Sequence, residues 1–139
     1  MTAKPRITVE ANINASVANT WNVYTTPGDI KQWNTASADW HTTKATVDLR
    51  VGGTFSSRME AKDGTFGFDF EGTYTKIVPH KSIEYSFGDR TGIVEFIAGS
   101  KGALVRVTFD AESQNSMEQQ RQGWQAILNN FAKYVEANR

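Results

Sequence analysis

The sequence predicts an α+β domain in which a curved antiparallel sheet of seven strands wraps on one long C-terminal helix, with two short helices between the first and second strands. Three observations carry this reading. Between Gly52 and Ala111, apolar and polar residues alternate in five short runs separated by tight turns, most of them bearing glycine. From Met117 to Asn138 the apolar residues instead recur every three or four positions, the period of a helix with one buried face. Ahead of both stand an alternating run, a short helical stripe and a second alternating run.

Arg6 to Ile13 places Ile7, Val9, Ala11 and Ile13 on one face and Arg6, Thr8, Glu10 and Asn12 on the other, a half-buried strand. Asn14 or Ser16 can cap a following helix, in which Val17, Trp21 and Tyr24 share a stripe, with Trp21 and Tyr24 expected to pack under the sheet end. Thr26-Pro27-Gly28-Asp29 breaks that helix, and Ile30 to Trp33 has room for a further helical turn. Asn34 to Thr43, with Trp40 and His41, reads as irregular. A second strand follows with Ala45, Val47 and Leu49 on one face, up to Gly52-Gly53. Phe55, Ser57 and Met59 share a face of the third, and Lys62-Asp63-Gly64 is a hairpin signal. Phe66, Phe68, Phe70, Gly72 and Tyr74 share a face of the fourth. Pro79-His80-Lys81, Gly88-Asp89-Arg90 and Gly99-Ser100-Lys101-Gly102 read as turns between the strands of Ile83, Tyr85 and Phe87, of Val94 and Phe96, and of Val105, Val107 and Phe109. Charges gather on the opposite faces, so a twisted meander with one solvated side is expected.

The long helix begins after Asn115 or Ser116, with Glu118 or Gln119 as capping-box partner. Its length of about 33 Å at ~1.5 Å per residue is enough to cross a sheet. Gly123 in its interior costs about 1 kcal/mol relative to Ala. Either a close backbone approach beside Trp124 compensates or the cost is tolerated.

The length of 139 residues suits one domain, taken as residues 1–139. Lys+Arg and Asp+Glu both number 15, so no basic excess exists to neutralise phosphates, and nucleic acid is not an expected partner. The absence of cysteine excludes disulfides, thiolate metal sites and a Cys nucleophile, and fits a cytoplasmic protein. Met1-Thr2-Ala3-Lys4-Pro5 lacks the apolar core of a signal peptide, and no run approaches the ~18 residues of a membrane span. His41 and His80 are far apart and no carboxylate cluster accompanies them, so no metal site is expected. The paired glycines lack the Lys-Ser/Thr of a phosphate loop, and no cofactor is expected.

Five stretches carry a resemblance. Ala15-Ser16-Val17 before Trp21 is similar to an Ala-Pro-x-x-x-x-Trp helix entry, with Ser16 in place of Pro. Thr26-Pro27-Gly28-Asp29 before Trp33 resembles an Asp-Pro-x-x…Trp stretch. Gly52-Gly53-Thr54-Phe55 resembles a Gly-Gly-x-Phe strand entry. Gly72-x-Tyr74-x-x-Ile77-x-Pro79-x-x-x-Ile83-x-Tyr85 and Gly123-Trp124-x-x-x-Leu128 complete the set. In this order they resemble the AHSA-like bacterial branch of the START-like (SRPBCC) superfamily, related to the activator of the large heat-shock ATPase. The resemblance implies the helix-grip fold of the birch-pollen allergen. It also implies a functional range of lipid and polyketide binders, cyclases and aromatases, and a co-chaperone domain, among which fold alone does not choose.

The residues themselves speak for a binding shell. Aromatics are 12% of the chain, and ligand sites are mostly apolar and aromatic. Phe55, Met59, Phe68, Phe70, Tyr85, Phe87 and Phe96 are expected to face a space between sheet and helix, opposite Trp124, Leu128 and Phe131. Ser57, Tyr74 and the indole N–H groups of Trp33, Trp40 and Trp124 supply polar contacts, with His41 near the expected mouth. Arg58, Asp69, Glu71, Glu84, Glu95, Arg106 and Asp110 fall on solvated faces, so no nucleophile, base and acid converge. The expected function is binding of a small hydrophobic or aromatic molecule without catalysis. One alternative is a polyketide cyclase or aromatase, motivated by the family's range with Tyr74, Tyr85, Ser57 and His41. The other is a co-chaperone module for a heat-shock ATPase, implied by the resemblance alone.

Overall fold

The computed structural model describes residues 5–138. The elements run β1 (Arg6–Ile13), α1 (Val17–Thr25), α2 (Pro27–Trp33), β2 (Trp40–Val47), β3 (Thr54–Ala61), β4 (Gly67–Val78), β5 (Ser82–Phe87), β6 (Arg90–Ala98), β7 (Ala103–Asp110) and α3 (Met117–Ala137). The strands form a seven-stranded sheet in the order β1-β7-β6-β5-β4-β3-β2, with every neighbouring pair antiparallel. The two short helices carry the chain from β1 to the opposite edge, and a meander then returns it to β1. This is the helix-grip fold that the alternation and the C-terminal stripe predict.

The element ends have local causes. Ser16 caps α1 by accepting from the Asn19 N–H at 3.1 Å. α1 ends at Thr25, as the Thr26-Pro27-Gly28-Asp29 break predicts, and Pro27 then stands at the first turn of α2, where its missing N–H costs nothing. Ser116 and Gln119 form the capping box of α3. The loop before α3 is held by Gln120, a buried amide that accepts from the Glu112 N–H and donates to the carbonyls of Glu112 and Asn115.

β2 departs from expectation. It starts at Trp40, inside the stretch read as irregular. The pairing with β3 slips between Thr42 and Lys44, and this bulge inverts the phase of the alternation, which hides the first residues of the strand. A second slip lies between Tyr74 and Lys76 in β4. Bulges bend and twist a sheet, and these two fall on the side that curls away from β1.

α3 packs along β1, and its buried face joins residues of β7 and β6 in one core cluster. Phe109, Phe131, Val105, Val94 and Ile7 are fully buried there. Trp124 stacks on Phe109 with centroids 3.8 Å apart. Polar ties fix the helix along its length: Gln125 donates to the Glu10 carbonyl, Glu136 accepts from the Asn14 N–H, and the Tyr134 hydroxyl donates to Asp29 at 2.7 Å. On the outer face Arg106 pairs with Glu10 and Glu95, and Arg58 with Glu60 and Asp69. Asp110 was expected among these solvated charges. It is instead buried, because it ends β7 beneath Arg6 and Thr91, both of which donate to its carboxylate.

Candidate ligand cavity

Away from β1 the curl of the sheet carries β3, β4 and β5 off the helix, and side chains only partly fill the gap. What remains is a cavity of about 290 Å³. Its floor is the inner face of the sheet, with Phe55, Ser57 and Met59 of β3, Phe68, Phe70 and Tyr74 of β4, and Ile83 and Tyr85 of β5. Trp124, Ile127 and Leu128 of α3 form the roof, and Tyr24, Ile30 and Trp33 close the end beneath α1 and α2.

Two glycines make room for the floor. Gly72 lies opposite Phe55 in the β3–β4 register, and Gly92 opposite Tyr85 in the β5–β6 register. A Cβ at Gly72 falls 2.6 Å from Phe55 Cζ, and one at Gly92 falls 2.6 Å from the Tyr85 hydroxyl. Each ring therefore lies flat across a bare backbone. Phe55 in turn meets Tyr74 and Tyr85 at 5.2 Å, and Phe70 meets Phe87 and Trp124 at 5.5 and 6.0 Å.

The polar groups of the wall include the Asn34 amide, the Arg90 guanidinium and several hydroxyls. Those of Tyr24, Tyr74, Tyr85 and Ser57 make no hydrogen bond among the described residues, yet no fully buried side-chain oxygen or nitrogen lacks a partner. These oxygens therefore touch the cavity space. Burial, with the nearby Asp48 carboxylate, pushes Tyr74 up to about 12. Burial raises Tyr24 and Tyr85 as well, and the neighbouring tyrosines reinforce this; Arg90 partly opposes it at Tyr85. All three stay protonated at neutral pH, able to donate to a ligand and of no use as bases.

Of the residues expected to face the ligand, Trp33, Phe55, Ser57, Met59, Phe68, Phe70, Tyr85, Trp124 and Leu128 line this space. Five do not. Phe96 is covered by Trp21 and Tyr24 of α1, with centroids 5.1 and 5.6 Å away. Phe131 is enclosed by Tyr24 and Trp33. The face of Phe87 is taken by Arg90, whose guanidinium carbon sits 4.4 Å above the ring. Trp40 packs against Phe66 and Phe68 at the β3–β4 hairpin, beyond the cavity. His41 is one residue out of phase with buried Thr42 and lies opposite Glu60, on the outer face.

Other wall residues were not expected there. Tyr24 was placed under the sheet end with Trp21, which does pack on Phe96. By sequence Arg90 reads as the end of a turn. The hairpin loop is only Gly88-Asp89, with Gly88 at φ 64°, so Arg90 already pairs with Phe87 as the first residue of β6. The alternation through Gly92, Val94 and Phe96 extends back to it, and that signal was in the sequence.

The wall also reaches the surface. β4 pairs with β5 only from Thr73 onward, so Gly67–Gly72 and their β3 partners run on past the rest of the sheet. Phe68, on this overhang, is both on the wall and 42% exposed, and Phe66 beside it is 63% exposed.

A curled seven-stranded sheet gripping a C-terminal helix over an apolar hollow defines a START-like domain. Residues 14–136 match the family described as activator of Hsp90 ATPase homolog 1-like protein, and the chain belongs to that family. An AHSA1-like protein from Aeromonas hydrophila, solved in solution, is 44% identical, with 96% of this chain and 94% of that one aligned at a TM-score of 0.91. A protein from Cytophaga hutchinsonii is 38% identical over 97% of this chain and 93% of its own, with a TM-score of 0.79. One from Chromobacterium violaceum, at 23% identity over 95% and 98% and a TM-score of 0.85, shares the fold. No curated protein matches. Among the described residues no helix is long and apolar enough to cross a membrane, and no three His, Asp or Glu side chains gather as a metal ion requires.

Proposed function

We propose that this protein binds a small hydrophobic or aromatic molecule in the cavity between the sheet and α3, as a carrier or sensor in the cytoplasm rather than as an enzyme. The observation that carries this reading is an aromatic hollow of about 290 Å³ in which the hydroxyls of Tyr24, Tyr74, Tyr85 and Ser57 have no partner among the described residues. The described wall has neither a carboxylate nor a histidine, so it offers no general base for cyclase or aromatase chemistry. A ligand burying ~300 Å² gains about 7 kcal/mol before association costs, which supports micromolar affinity.

Calorimetric titration with neutral two-ring compounds such as 1-naphthol and 1-naphthylacetamide tests this. Saturable micromolar binding is expected. Ile127→Trp, which fills the roof from a half-buried helix position, lowers the affinity by more than tenfold while the native spectrum persists. No saturable binding to the native protein, or equal binding by the filled variant, contradicts the proposal.

A second reading has one observation in its favour. The family's description names the Hsp90 ATPase, and the exposed rings of Phe66 and Phe68 beside Trp40 are a surface on which a protein partner can sit. Stimulation of that ATPase by the native protein, lost in Phe66→Ser, supports it; an unchanged rate removes it.

A further inference from the structure

We propose that the cavity selects a compact monoanion, an aromatic or short apolar carboxylate whose charge is met by Arg90 and whose body lies against the rings of the wall. This rests on the cavity being a ligand site. Among the described residues of the wall, Arg90 is the only charged side chain. Its guanidinium carbon sits 4.4 Å from the centre of the Phe87 ring, and its Nη1 donates to the Asp110 carbonyl at 3.3 Å. Among the described residues no ion pair joins Arg90 to a carboxylate, and two carboxylates close to it are engaged elsewhere. That of Asp110 accepts from Arg6 and Thr91, and that of Glu112 accepts from the backbone N–H groups of Gln114 and Asn115. Glu112 still feels the Arg90 charge, so compensation is at longer range than a contact.

A guanidinium carries five N–H donors in a fixed fork that matches a carboxylate. With one donor on a carbonyl and its charge held over a ring, Arg90 has donors left over for a ligand. Nothing on the described wall repels an anion, and the protonated Tyr85 hydroxyl, close enough for Arg90 to act on its ionisation, is a further donor. Size narrows the class. An apolar cavity of ~150 Å³ takes up benzene, so this one holds roughly two such units. A bicyclic acid fits and a two-chain lipid does not.

The test compares 1-naphthylacetate with neutral 1-naphthylacetamide, which share one bicyclic body, by calorimetry. The native protein is expected to bind the acid about tenfold or more tighter, a difference of about 1.4 kcal/mol. Arg90→Gln removes the preference, Arg90→Lys keeps part of it, and Arg106→Gln on the outer face leaves it intact. The native ratio needs no variant, so it decides the matter even if Arg90→Gln does not fold. An acid bound no tighter than the amide, or a preference that survives Arg90→Gln, overturns the anion assignment and leaves the cavity reading standing. Failure of both compounds to bind overturns the cavity reading itself.

Discussion

Gly92 and Gly123 illustrate opposite uses of a missing side chain. At Gly92 a Cβ falls 2.5 Å from Tyr85 Cζ, so the ring must leave the bare backbone on which it rests. Gly92→Ala is therefore expected to destabilise the fold by about 1–3 kcal/mol, the cost of overpacking, and the double variant with Tyr85→Leu to recover part of that. At Gly123 nothing lies within 4 Å of the added carbon. No close backbone approach compensates for the helix cost. Gly123→Ala is expected to stabilise the protein by about 1 kcal/mol. Urea denaturation measures both. A neutral Gly92→Ala or a destabilising Gly123→Ala contradicts the packing described. The sequence raised the question at Gly123 but not its answer, since periodicity reports which face a residue is on and not how near the next element comes. Arg90 shows the same limit from the other side, for a turn dipeptide next to it masked a face assignment that the strand's own alternation contained.

At the scale of elements, most of the architecture was legible because strand and helix periods are long-range signals that survive local irregularity. The elements that shifted did so at irregularities: β2 at its bulge, and α2 at a proline that starts a second helix directly where the first one ends. The wall was less legible. Phe96 and Phe131 lie on the correct inner faces, but whether an inner residue meets a helix or a hollow depends on how far α1 and α3 reach, which no alternation encodes. Asp110 belongs to this scale too, because it joins the ends of β1, β6 and β7. Burial pushes its carboxyl up, but donors from Thr91 and Arg6 outweigh that and hold it below the ordinary value of 3.8. The native state thus holds this proton less tightly than the unfolded chain. Its contribution is present above about pH 4 and is lost as the pH falls through the native value. Asp110→Asn is expected to cost about 2 kcal/mol at neutral pH, with the gap to the native protein narrowing at pH 3. Urea titrations at the two pH values check this, and a gap of equal size at both contradicts it.

For the whole molecule, one consequence follows from a helix anchored along β1 while the sheet curls away from it. The side near β1 packs solid, with Trp124 stacked on Phe109, and the side toward β3 to β5 stays open. The tryptophans separate the cavity from the rest of the molecule. Trp33 and Trp124 are on the cavity wall, whereas Trp21 is packed on Phe96 and Trp40 sits at the outer hairpin. The most direct measurement is the proton–nitrogen spectrum of the indole N–H groups during titration with 1-naphthylacetamide. Saturable shifts of Trp33 and Trp124, with Trp21 unmoved, are the expected result; shifts confined to Trp40, or none at saturating ligand, contradict a binding cavity beneath α3.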